Sequence, residues 1–188
     1  MENDKKHSNT KTIHHLEYDI EEELQHGIFV SKLAYAVGTK MGLEPSVCRE
    51  LAIAGLVHDI GKLRLTQLTG VDEDFLVVEE LKYIRRHPTL GYLELKDQPY
   101  SDFVLESVLY HHENYDGSGY PNNMKGPEIP LGARILRICD VYAALRSDRP
   151  YRKGFDFRTA LQLMIEEVKN FDIHIFILFQ RVMHEKEI

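Results

Sequence analysis

Apolar residues recur at near-helical spacing from Leu24 through Ile28, Leu33, Val37 and Met41. Gly42 follows where a helix would stop, so the pattern predicts a long first helix. Pro45 and Ser46 open a second, whose stretch ELAIAGLV is so apolar that it is expected to be the core helix. It runs into His58 and Asp59 and is broken at Gly61. Asp72 or Asp74 is placed to cap a helix reaching Arg86, and Pro88 biases His87 out of the helical region, which makes His87 a helix terminus. Ser101 caps SDFVLESVLYHH, on which Val104, Val108 and His112 share one face and Ser107 and His111 a neighbouring one. Between Glu113 and Pro130, three glycines and three prolines exclude a continuous helix and predict a structured irregular loop. A helix from Leu131 to Leu145 carries Asp140, and Asp156 caps a later one running from about Phe157 to Lys169, with Met164, Ile165 and Val168 as core. No alternation of strand length appears. The expected fold is all-α, a helical bundle with one irregular loop.

The length of 188 residues fits one domain, expected over residues 13–188 behind a polar tail at residues 1–12. A chain of this size buries roughly 70% of its unfolded surface and needs no covalent staple. Cys48 and Cys139 lie in apolar helical contexts without CxxC spacing, so they read as buried thiols in a reducing cytoplasm. No stretch approaches the ~20 apolar residues of a spanning helix, and no membrane association is expected. The net charge of -7 argues against duplex nucleic acid, whose affinity comes mainly from lysine and arginine meeting phosphate. Any phosphate site must then be local. It can draw on bound metal ions or on RSDRPYRKGFDFR, which holds five basic residues against two acidic between Arg146 and Arg158.

Five of the ten histidines, His26, His58, His87, His111 and His112, stand at or next to segment ends with aspartates beside or beyond them. His26, His58, Asp59 and Asp140 make one ligand set of imidazole and carboxylate, a donor combination that suits a divalent transition metal such as manganese or iron. The second oxygen of Asp59 can bridge to another ion, for which His87, His111 and His112 supply imidazoles. Two ions so held could polarise a phosphoryl group, hold a bridging hydroxide as nucleophile and steady the leaving oxygen. An isolated HD pair is more often structural than ligating, and an HH doublet at a helix end is only somewhat more telling. The tail histidines His7, His14 and His15, and His174 and His184 in a late helix, are assigned no ligand role.

The motifs HDIGK, HP at His87 and Pro88, HHENYDGSGYP and ARILRICDVYAALRSDRPYR occur in that order. Together they closely resemble the HD-GYP family, a branch of the HD-domain metal-dependent phosphohydrolases, over roughly Glu22 to Phe179. The resemblance implies an HD-domain helical bundle with a GYP-containing substrate loop. It implies that His26, His58, Asp59 and Asp140 hold one metal, and that His87, His111 and His112 hold a second with Asp59 bridging. Asp59 and Lys62 are then the catalytic residues, the lysine beside the bridging water and the scissile phosphate. Gly119, Tyr120 and Pro121 match the loop that shapes the substrate site, and Arg149 and Arg152 match phosphate-contacting basic residues. Glu22, one turn before His26, matches a glutamate that holds a third metal in some relatives. The implied activity is hydrolysis of cyclic di-GMP to pGpG and onward to GMP, with two or three divalent ions, iron or manganese. Rivals are another HD-type nucleotide phosphohydrolase and a non-catalytic binding module, against which the complete ligand set and Lys62 argue. Relatives commonly read DVFDALTSDRPYR, so Ala143 removes an acceptor three residues from Asp140, and Arg146 adds a charge expected on the solvated surface. No receiver or sensor domain accompanies the motifs in this sequence, so a stand-alone enzyme, a fragment, or an enzyme controlled by a separate regulatory protein or as a homodimer are all open expectations.

Overall fold

A computed structural model describes residues 20–68, 83–148 and 152–186, which are helical with no extended strand. Helix α1 spans Ile20–Lys40 and buries Val30, Leu33, Ala34 and Val37, a stripe at helical spacing. Glu21, Glu22 and Glu23 occupy its first turn and Lys40 its last, each of the sign that the helix dipole favours there. Gly42, at a φ of 73°, turns the chain out of α1 into α2, Pro45–Val57, where proline stands at the start and needs no N–H.

The two helices touch backbone to backbone. A Cβ on Gly27 would come within 2.7 Å of the Leu56 carbonyl oxygen, and one on Gly55 within 2.9 Å of the Ser31 nitrogen. This approach brings His26, beside Gly27, against the end of α2 that carries His58. Helix α3, Lys62–Leu68, follows at once. Helix α4 is His87–Leu95 and α5 is Asp102–Tyr110, with Ser101 accepting from the Val104 amide as its cap. After the loop come α6, Leu131–Arg146; α7, Phe157–Glu166, capped by Asp156; and α8, Ile173–Lys186.

The core helix is α6 rather than α2. Ala133, Ile135, Leu136, Ile138, Cys139, Tyr142 and Ala143 on α6 are fully buried, and α1, α2, α5, α7 and α8 all pack against it. By contrast α2 leaves Ile53 and Leu56 exposed, because α1 covers only one of its faces. Ile165 on α7 is likewise exposed, while Met164 beside it is buried. A smaller cluster of Leu95, Leu105 and Val108 joins α4 to α5. His87 also departs from expectation, since it opens a helix instead of closing one. Pro88 sits in the first turn, where a missing amide costs nothing, so the restriction on its predecessor does not end the helix. The helix expected behind Asp72 or Asp74, like the tail at residues 1–12, lies outside the described residues.

Candidate metal centre

Three helix ends and one helix interior converge on Asp59. His58 and Asp59 close α2, His87 opens α4, His111 and His112 follow α5, and Asp140 comes from the middle of α6. Gly61 permits the closest of these approaches, for a Cβ there would collide with the His87 carbonyl and the Gly91 amide. His26 from α1 completes the ring.

These side chains sort into two groups that share Asp59: His26, His58, Asp59 and Asp140, and Asp59, His87, His111 and His112. The donor atoms within each group lie within 4.8 Å of one another. Asp59 divides its oxygens between them. Oδ2 lies 3.2 Å from His58 Nε2 and 3.9 Å from His26 Nε2, whereas Oδ1 lies 3.0 Å from His87 Nε2 and 3.8 Å from His111 Nε2. Asp140 Oδ1 stands 3.0 Å from His26 Nε2 and 3.7 Å from His58 Nε2.

Backbone carbonyls orient three of the rings. His58 Nδ1 lies 2.8 Å from the Gly55 oxygen, His87 Nδ1 2.7 Å from that of Ile84, and His111 Nδ1 2.7 Å from that of Val108. A ring that donates from Nδ1 presents a lone pair at Nε2, the usual arrangement of a metal-ligating histidine. The Nε2 atoms of His111 and His112 each stand 3.2 Å from that of His87. Lone pairs that converge in this way repel unless a cation lies among them. Burial and neighbouring charge hold His111 well below its usual pKa and lower His112 to about 3, so both rings are held neutral. Burial opposes charge on His58 as well, but Asp59 and Asp140 outweigh it and push the ring up to about 10. Asp59 and Asp140 stay ionised, held well below the carboxylate range by their histidine neighbours against the cost of burial. His58 Nε2 and Asp59 Oδ1 are buried without an aligned hydrogen-bond partner despite these short approaches, as donors aimed at a common point between them would be. The donor set thus fits divalent metal ions.

Lys62 reaches the centre from the first turn of α3, its Nζ 2.7 Å from Asp59 Oδ2. Burial works against its charge, but Asp59 and Glu23 hold the ammonium ionised above its ordinary range. Glu23, 3.0 Å from Nζ, is a residue that sequence reasoning passed over. Three residues before His26, it shares that face of α1 as well as Glu22 does. Glu22 itself is exposed, stands outside both groups and lines the mouth beside His26.

The loop after His112 is fastened to the second group. The Tyr120 ring stacks on His112 with centroids 4.8 Å apart, and the Tyr120 amide donates to the His112 carbonyl at 3.2 Å. Gly119 is buried here, and a Cβ would strike the Asn114 amide and the His112 carbonyl. The Tyr120–Pro121 peptide is cis. Glu113, buried and unremarked in the sequence, ties the loop down by accepting from the amides of Asn122 at 2.6 Å and Met124 at 3.1 Å.

Arg152 does not face the centre with free donors. Its guanidinium donates to the carbonyls of Ala144 at 3.0 Å, Lys153 at 3.1 Å and Leu145 at 3.3 Å and lies over the Phe155 ring, so it closes the C-terminal end of α6. Arg146 is half-buried and donates to the Phe155 carbonyl at 3.0 Å, where solvated surface was expected. Arg149 lies outside the described residues. Ala143 is fully buried among apolar neighbours, and His26 Nδ1 is buried without a partner.

Residues 4–175 match the model of a family described as HD domain. The chain is 36% identical over 159 residues to a cyclic di-GMP phosphodiesterase of Pseudomonas aeruginosa, covering 84% of this chain and 38% of that protein. It is 35% identical over 144 residues to the 3'3'-cGAMP-specific phosphodiesterase 1 of Vibrio cholerae, covering 77% and 33%. It therefore spans little more than a third of the length of the curated relatives it matches. Its fold is similar to that of an HDG"Y"P protein from Bdellovibrio bacteriovorus, with a TM-score of 0.69, 20% identity, and coverage of 86% of this chain and 52% of that one. No helix among the described residues is long and apolar enough to cross a membrane.

Proposed function

The chain belongs to the HD-GYP branch of the HD domain family, and from that premise we propose that it is a metal-dependent phosphodiesterase hydrolysing cyclic di-GMP to pGpG. The observation that carries this reading is the division of Asp59, one oxygen facing His26 and His58 and the other His87 and His111. A carboxylate so placed could serve two ions, and a pair of ions would steady both the attacking and the leaving oxygen of an in-line displacement at phosphorus. His26, His58, Asp59 and Asp140 would hold one ion and Asp59, His87, His111 and His112 the other, iron or manganese by the character of the donors. Divalent ions held there would supply Lewis-acid polarisation of a phosphoryl oxygen and lower the pKa of a water.

The chain's own groups do the rest. Lys62, kept charged by Asp59 and Glu23, is placed to stabilise negative charge that grows on the phosphoryl oxygens. Gly119, Tyr120 and Pro121 form the lip over the second group, and the tyrosine ring, already stacked on His112, offers a face beside the reacting phosphate. Arg149, by its match to the DRPYR motif, supplies a phosphate contact. Burial of His87 and His111, with His112 half-buried beneath the Tyr120 ring, limits the access of water to the donor atoms.

One relative named for 3'3'-cGAMP is almost as similar as one named for cyclic di-GMP, which makes the second base the open choice. Protein purified without oxygen, assayed with cyclic di-GMP, 3'3'-cGAMP and cyclic di-AMP and analysed for metal, tests both points. Two ions per chain with pGpG as product is expected. Metal-loaded protein that binds cyclic di-GMP without turnover would make it a binding module, and preference for another cyclic dinucleotide would move the substrate.

A further inference from the structure

Two arginines flank the loop side of the centre, and neither belongs to the ligand set. Arg137 lies on α6 one turn before Asp140, half-buried. Its Nε donates to Asn114 Oδ1 at 2.9 Å, which fixes the guanidinium against the start of the loop. No carboxylate among the described residues pairs with it, and its two Nη groups have no hydrogen-bond partner there. Other partly buried arginines are matched, Arg134 by Asp172 at 2.7 Å and Arg146 and Arg152 by backbone carbonyls. The second cation is Arg85, whose guanidinium carbon lies 5.3 Å from the centre of the Tyr120 ring. The charge of Arg137 is felt by both His112 and Tyr120, and that of Arg85 by Tyr120.

The opposite mouth of the centre has the other sign. Glu21, Glu22, Glu23 and Asp148 line the cavity beside His26 and Lys62. A cyclic dinucleotide carries two phosphodiesters in one ring, and only one of them is cleaved in a turnover. With the reacting phosphate at Asp59, the remaining one is repelled from the acidic mouth and attracted to the arginine side. A half-buried guanidinium whose two Nη groups meet no partner among the described residues matches the paired oxygens of a phosphodiester.

We propose that Arg137, aided by Arg85 across Tyr120, forms a second anion subsite that holds the phosphodiester not being cleaved. This rests on the reading of the chain as a cyclic dinucleotide phosphodiesterase. It assigns Arg137 to recognition of a ring with two phosphates and leaves the displacement itself to the metal centre and Lys62.

Arg137→Gln and Arg137→Lys in metal-loaded protein test it, with cyclic di-GMP compared against bis(p-nitrophenyl) phosphate, which has a single phosphate. Arg137→Gln should retain the metal content of the wild type and raise KM for cyclic di-GMP about tenfold or more. The proportional loss in kcat/KM on the single-phosphate ester should be at least fivefold smaller, and Arg137→Lys should recover part of the dinucleotide affinity by restoring charge. Equal proportional losses on the two substrates, or an unchanged KM for cyclic di-GMP, would overturn the subsite. So would a lowered melting temperature with no recovery in the lysine variant, which would make Arg137 a tie between α6 and the loop. The wild-type measurement separates the two levels: turnover of the single-phosphate ester without binding of any cyclic dinucleotide defeats the functional reading itself.

Discussion

Asp59 and Lys62 stand 2.7 Å apart and should fail in different ways. Asp59→Ala removes the one carboxylate common to both groups, so we expect loss of bound metal and of all turnover, read by metal analysis and a phosphodiesterase assay. Two retained ions would refute the bridge. Lys62→Ala should keep both ions and lose rate, because its charge acts on the transition state; loss of metal would make it structural. Counting ions in wild type and Glu22→Ala bears on Glu22, which stands outside both groups. Two in both proteins follows from the present geometry, whereas three falling to two would make Glu22 a ligand. His26 is the ring whose Nδ1 is buried with no partner, and Ala143 is the small residue one turn beyond Asp140. Ala143→Asp should supply an acceptor there and tighten metal retention about tenfold to a hundredfold, as outer partners of ligating histidines typically do. A chelator titration showing weaker or unchanged retention would place that carboxylate elsewhere.

Among the elements, the turn between α2 and α3 and the N-terminus of α4 depend on each other through Gly61. Gly61→Ala puts a methyl group against the His87 carbonyl and the Gly91 amide, both backbone, so α4 must move. We expect about 1–3 kcal/mol of destabilisation, the usual scale of overpacking, together with loss of metal as His87 leaves Asp59. A variant with wild-type melting and metal content would show that α4 yields freely. Arg152→Ala tests the end of α6. Its donors serve the carbonyls of Ala144, Leu145 and Lys153, so the chief loss should be about 1–2 kcal/mol of stability. An unchanged melting temperature with a raised KM would return Arg152 to the substrate.

For the whole molecule, α1, α2, α4, α5 and α6 all contribute donors to one centre, so its occupancy and the stability of the bundle are linked. Without a cation, His58 Nε2 and Asp59 Oδ1 remain buried with no hydrogen-bond partner. Metal at about a thousand times its Kd would add about 4 kcal/mol. In a chain of this size that is a rise in Tm on the order of 10 °C. A thermal melt with chelator and then with excess manganese should show the loss and its recovery. Equal melting temperatures in the two states would mean that the centre forms without help from metal.

The sequence by itself determined the helical class, the caps at Ser101 and Asp156, the irregular loop and the histidines and aspartates of interest. Each of these is a local signal: apolar periodicity, a short polar side chain before a helix, glycine and proline density, or residue types whose chemistry is distinctive. Tertiary structure alone decided which helix is central. The apolarity of α2 predicted a core helix, yet burial depends on how many neighbours cover a helix, and α6 has more of them. It also decided the direction of every donor. Which of Glu22 and Glu23 pairs with Lys62 turns on a rotation about α1 that spacing leaves free, and Lys62, arriving from α3, meets Glu23. Arg152 could not be told from a phosphate ligand in a list of basic residues, because the carbonyls it satisfies exist as acceptors only once α6 has ended beside it. The same holds for Arg137, which no carboxylate among the described residues matches, a fact visible only once those residues are placed in space.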